Sequence, residues 1–227
     1  MARARSMHGN GARKSRNGNR SRGNEMHGRN GRERRSASIN SQWLRDFLSE
    51  MLAVEKGGVK LYQRAMSDLQ HTEHREKLTE FLRQTERHVE LCTEMLQAAG
   101  GDADYKSPGA EAAKHKADGL ISTEVPPQMM DLNNIENLVL AETKDKWNWE
   151  TLGSISSKIE DAELKRMAAK AVREVQKQEK SHLDWNEQTL SKLAMEAAMR
   201  APAERMREGG EEAEDSQGEA MTPEVDR

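Results

Sequence analysis

The stretch "QEKSHLDW", residues 178–185, places a glutamate and a histidine three positions apart inside a long helical pattern. Upstream, Leu164, Met167, Ala168, Ala171, Val172 and Val175 recur at steps of three and four, and Leu183, Leu190 and Leu193 continue downstream. Residues at that spacing share one face of an α-helix. Carried through the quoted stretch, the apolar stripe lands on Glu179 and His182, so a carboxylate and an imidazole are expected to point into the core. A buried charge is costly unless something neutralises it.

Three other segments repeat the anomaly. Helix A, from about residue 41 to 69, carries Leu44, Phe47, Leu48, Met51, Leu52, Val59, Tyr62 and Met66 on its apolar side, and "MLAVEKGGVKLY" puts Glu55 in that line. Helix B runs from Thr72, read as an N-cap ahead of Glu73 and Glu76, to the Gly100-Gly101 stop. Its "FLRQTERHVELC" aligns Thr85 and His88 with Leu78, Phe81, Leu82, Cys92 and Met95. Helix C begins after Pro126-Pro127, and "LVLAETKDKWNW" aligns Glu142 with Ile135, Leu138, Val139 and Trp149. Helix D is the opening segment, from near Asp161 to about Met199.

Connection lengths set the expected topology. The A–B and C–D joints span only a few residues, so each pair reads as an antiparallel hairpin. Between Gly100 and Pro127 lie about 27 residues, while a helix of about 28 residues is about 42 Å long at 1.5 Å per residue. That connection can cross the whole bundle and start C at the end where B also starts. "GAEAAKHKADGLI" predicts a short helix near residues 110–121 within it. The expected fold is all-α: a four-helix bundle with a long B–C crossover.

A carboxylate, a histidine or both near the midpoint of each of four helices points to a shared cation. Oxygen and imidazole donors without a thiolate cluster suit Fe, Mn or Zn. Bundles build such sites from one Glu on each of two helices and a Glu-x-x-His on each of the other two. Glu55 and Glu142 fill the single positions, and Glu179 with His182 forms one complete pair. Helix B departs from this, offering Thr85 ahead of His88. Asp145, one turn beyond Glu142, is the candidate replacement. Tyr62, Trp149 and Trp185 fall close by and are read as core filling. Cys92 is read as a small buried hydrophobe, and His71, His74 and His115 as solvated residues in or near loops.

With these motifs in place, the chain resembles the ferritin-like superfamily over roughly residues 43–195. More closely, it resembles a bacterial branch of stress-associated ferritin-like proteins whose domain is usually catalogued as of unknown function. The resemblance rests on "VEKGGVKLY", "TERHVELC", "AETKDKWNWETL" and "EKSH". That branch often has Thr-x-x-His in its second helix, here Thr85 and His88. In its third it often has Glu-x-x-Glu, here Glu142 with the shorter Asp145. The resemblance implies a di-metal site, usually di-iron, and a role in oxidative or general stress. Any turnover would be ferroxidase- or peroxidase-like.

The flanks differ in character from the bundle. Residues 1–39 hold 10 Arg and one Lys against two Glu, and residues 200–227 hold nine acids against four Arg. Both lack the apolar residues needed to offset ordering entropy and are expected to be disordered. The basic arm, with Arg13, Lys14, Arg16, Arg20, Arg22, Arg29, Arg32, Arg34 and Arg35, has the composition of a non-specific nucleic-acid-binding tail. A single cysteine excludes an intramolecular disulfide and suits a reducing cytoplasm. No apolar run approaches the roughly 18 residues of a membrane span. Expected partners are therefore metal ions, further copies of the chain and nucleic acid, with no membrane. The competing reading is a non-catalytic scaffold, in which the histidines hydrogen-bond to the glutamates without metal and the arm binds nucleic acid or an acidic partner.

Overall fold

Asn40 opens the first helix by accepting hydrogen bonds from the backbone N–H groups of Gln42 and Trp43, which satisfies donors that have no partner within the helix. From there the computed structural model describes residues 38–102 and 104–199. The expected arm over 1–39, including every basic candidate from Arg13 to Arg35, lies outside the described residues except for positions 38 and 39, as does the expected tail over 200–227. The described residues are all-helical, with five α-helices and no strand: α1 (Ser41–Ser67), α2 (Arg75–Ala98), α3 (Pro108–Ser122), α4 (Met130–Ser156) and α5 (Ala162–Met199).

Two apolar clusters show how the helices run. One joins the start of α1 (Leu44, Phe47, Leu48) to the end of α2 (Met95, Leu96), the end of α4 (Trp149, Leu152) and the start of α5 (Leu164, Ala168). The other joins the end of α1 (Leu61, Tyr62) to the starts of α2 (Leu78, Phe81) and α4 (Ile135, Leu138) and the end of α5 (Leu193). Thus α2 and α4 run in the same direction, and α1 and α5 run opposite to them. α1 packs on α2 and α4, and α5 packs on α4 and α2, which closes a ring of four helices. The long connection does carry α4 back to the end where α2 begins.

α3 lies within that connection against the outside of α1. Ser107 caps it by accepting from the Ala110 N–H and anchors it by donating to the Asp46 carbonyl of α1. At its far end Arg64 donates to the carbonyls of Ile121 and Thr123. Gly57 permits the close approach between them, because a Cβ there would sit 2.8 Å from the Cβ of Ala117.

The A–B joint departs from expectation. α1 ends at Ser67, and Thr72 starts a short 3-10 turn, Thr72–His74, without capping α2. The loop ahead of that turn is held from a distance: the buried Asp131 carboxylate of α4 accepts from the N–H groups of Gln70 and His71 and from the His71 ring. His71 is consequently held rather than free, His74 packs on Trp185 with ring centroids 5.5 Å apart, and His115 is an exposed residue of α3.

Candidate metal centre

Between the two apolar clusters lies a polar layer to which all four ring helices contribute. Glu55, Thr85, His88, Glu142, Asp145, Glu179 and His182 are all buried. Each occupies the inward stripe of its helix at mid-length, so the apolar residues above and below bury the charged ones as well.

The layer contains two buried groups that could hold a metal ion, and Glu179 belongs to both: Glu55, His88 and Glu179; and Glu142, Glu179 and His182. His88 Nδ1 lies 2.9 Å from Glu179 Oε1 and 3.5 Å from Glu55 Oε2. His182 Nδ1 lies 3.4 Å from Glu142 Oε2 and 3.7 Å from Glu179 Oε1. The two rings are near-parallel, with centroids 6.0 Å apart.

Outward-facing atoms of these residues are satisfied, whereas inward-facing atoms are not. Trp149 Nε1–H donates to Glu55 Oε1 at 2.7 Å, and the Tyr62 hydroxyl donates to Glu142 Oε1 at 2.6 Å. His88 Nε2 lies 2.8 Å from Gln178 Oε1, and His182 Nε2 lies 2.7 Å from Gln84 Oε1. Yet Glu55 Oε2, His88 Nδ1, Glu142 Oε2, Asp145 Oδ1, both oxygens of Glu179 and His182 Nδ1 have no hydrogen-bond partner. Although His88 Nδ1 approaches Glu179 closely, the pair lacks hydrogen-bond alignment. An unmet buried polar group costs about 1–3 kcal/mol. Seven such atoms together rival the roughly 5–15 kcal/mol stability of a whole domain. That penalty calls for a cation or for protons.

The titration shifts reflect the same crowding. Burial, and then the charges of Asp145, Glu142 and Glu55, push Glu179 well above the usual carboxylate range. Burial followed by Glu55 and Glu142 does the same to Asp145. Burial opposes ionisation of Glu142, but the nearby His182 ring and the Tyr62 hydroxyl hold its carboxyl below the ordinary value. For His88, burial is outweighed by Glu55, so its ring stays protonated to higher pH than usual. Burial raises the Cys92 thiol well above its ordinary value, and Cys92 belongs to neither group.

Of the expected ligands, Glu55, His88, Glu142, Glu179 and His182 are thus brought together. Asp145 is buried in the same layer with an unpartnered oxygen, but it lies outside both triads. Thr85 turns away, donating to the Phe81 carbonyl at 3.0 Å. Tyr62 and Trp149 fill the core as expected, and in addition each restrains a glutamate. Gln84, Gln178 and Asn186 were not anticipated. Asn186 donates to the Tyr62 hydroxyl at 3.3 Å and to the His182 carbonyl at 3.0 Å. For the two glutamines a signal was present, since each stands four residues before a site histidine.

The chemistry of this donor set fits a divalent transition metal: carboxylate and imidazole donors, no thiolate, and inward atoms left free. Comparisons with protein-family models, with curated proteins and with solved structures found no match.

Proposed function

We propose that this chain is a ferritin-like metal-binding protein that holds two metal ions, with iron the best-suited occupant, and handles Fe(II) with O₂ or peroxide in a stress-protective role. One observation carries the reading: seven buried donor atoms, drawn from all the glutamates and histidines of the layer and from Asp145, have no hydrogen-bond partner, and the glutamates and histidines form two groups able to hold a metal ion. Mn or Zn would suit the same donors.

Glu55 and His88 would hold one ion and Glu142 and His182 the other, with Glu179 shared between them. Tyr62 and Trp149 each hold one oxygen of a carboxylate, leaving the other free to bind. The apolar clusters on either side exclude bulk water from the layer. A bound iron pair would supply the electrons to reduce O₂ or peroxide as Fe(II) becomes Fe(III).

Metal content per chain after anaerobic Fe(II) loading and desalting tests this directly. The expected result is close to two irons per wild-type chain, and none retained when Glu179→Ala is combined with His182→Ala. Equal iron in wild type and double variant would overturn the assignment.

A further inference from the structure

The two site histidines sit in matching sequence frames, "QTERH" at 84–88 and "QEKSH" at 178–182. In each, glutamine precedes histidine by four residues and so lies one turn away on the same helix face. Because α2 and α5 are adjacent and antiparallel, the turn carrying Gln84 faces the turn carrying His182, and His88 faces Gln178. Both cross-helix pairs are made, at 2.7 and 2.8 Å.

We propose that Gln84 and Gln178 are positioning residues that fix both site histidines in the Nε2–H form, each glutamine acting on the ring of the opposite helix. The amide orientation supports this. The Gln84 side-chain NH₂ donates to Glu80 Oε1 at 3.2 Å, which turns its carbonyl oxygen toward His182. A carbonyl only accepts, so the hydrogen resides on His182 Nε2. In the neutral ring the lone pair then lies on Nδ1. Both Nδ1 atoms face the carboxylates without a hydrogen-bond partner. The same pairing places His88 Nδ1 toward Glu55 and Glu179. Partners of a ligating imidazole set its tautomer and ring orientation, and an amide does so without adding another charge to a layer already rich in carboxylates.

The tautomer assignment stands by itself; its effect on metal rests on the proposed function. Two readouts on the full chain separate them. Long-range ¹⁵N–¹H correlation spectra of metal-free protein at alkaline pH read the tautomers directly, without any substitution. The expected spectrum shows Nε2–H at both His88 and His182. Gln178→Leu should release His88 alone and Gln84→Leu His182 alone, while Gln178→Glu, which keeps an acceptor oxygen, restores the His88 pattern. Each Leu variant should weaken Co(II) binding at one position by about 10–100-fold, with Gln178→Glu recovering it. Nδ1–H rings in the wild type, or tautomers indifferent to the Leu substitutions, would overturn the proposal. Nε2–H rings in a protein that binds no Co(II) would uphold the clamp and overturn the metal reading.

Discussion

Glu179→Gln separates a metal centre from a self-sufficient hydrogen-bonded core by the sign of its effect on stability. Glu179 is 1 % exposed, neither of its oxygens has a hydrogen-bond partner, and three other carboxylates press on it. Glutamine has nearly the same shape without the charge, and its NH₂ can donate to a neighbouring carboxylate. Relieving one unmet buried group is worth about 1–3 kcal/mol. At about 2–4 °C per kcal/mol for a domain of this size, the metal-free variant should melt about 2–12 °C above metal-free wild type. A Glu whose folded pKa is raised contributes stability that is present below its unfolded value and is lost as pH rises through the folded one. The variant lacks that term, so its advantage should widen from mild acid to alkaline pH. Metal should act oppositely. At a hundredfold excess over Kd, Zn(II) stabilises the wild type by about 2.7 kcal/mol, whereas the variant should gain little. Thermal melts of both proteins, with EDTA or with Zn(II), give all four values. A metal-free variant less stable than metal-free wild type would refute the reasoning, because it would mean that protein partners already satisfy Glu179.

In metal-free wild type, Asp145, Glu179 and His88 all have raised pKa values. All three therefore lose their stabilising contribution as pH rises, and Tm should climb from alkaline toward mildly acid pH; Zn-loaded protein should show the opposite trend, as protons compete for the donors. Tyr62→Phe removes the hydroxyl that donates to Glu142 at 2.6 Å and should cost about 1.5–3 kcal/mol, read as a lower urea midpoint with unchanged m-value. Gly57→Ala would ordinarily gain about 1 kcal/mol in a helix. Here the new Cβ would lie 2.8 Å from Ala117 Cβ, two atoms fixed to backbone, so an overpacking cost of about 1–3 kcal/mol prevails, and α3 should lose hydrogen-exchange protection. Deleting residues 1–38 removes 10 Arg and one Lys and should abolish any salt-dependent DNA binding without changing the Zn(II)-induced shift.

The polar layer was legible because it violates a local rule. A charge on an apolar stripe is conspicuous at steps of three and four, and Glu55, His88, Glu142, Glu179 and His182 each stand on such a stripe. The topology was legible from the length of the α2–α4 connection. What could not be read are polar residues whose partners lie far along the chain. Asp131 serves the backbone of Gln70 and His71, and Asn137 donates to the Leu120 carbonyl. Both are buried on α4 beside Asn134 and Asn148, which dilutes its apolar face. Thr72 looked like a cap because it precedes acidic residues, yet it opens a short 3-10 turn, and the loop donors just ahead of it, the N–H groups of Gln70 and His71, are met by Asp131. Gln84 and Gln178 each stand four residues before a site histidine, but only the antiparallel pairing of α2 with α5 makes them reciprocal.

Thr85 shows how the layer can differ from a symmetric design and still balance. Its methyl group lies where a Cβ on Gly58 would approach to 3.3 Å, so α1 and α2 are close at this height. A carboxylate is added from α4 instead, as Asp145. The buried set is then Glu55, Glu142, Asp145 and Glu179 with two imidazoles. Four ionised carboxylates carry the charge that two divalent ions would cancel, provided both imidazoles are neutral. Neutral glutamines against the outer ring nitrogens oppose that state less than carboxylates would, since they add no charge for a proton to offset. On the proposed function, the threonine, the aspartate and the two glutamines are therefore parts of one electrostatic solution. In the metal-free state the same four carboxylates must be balanced by protons, and burial together with their mutual repulsion raises Asp145 and Glu179 well above the usual carboxylate range.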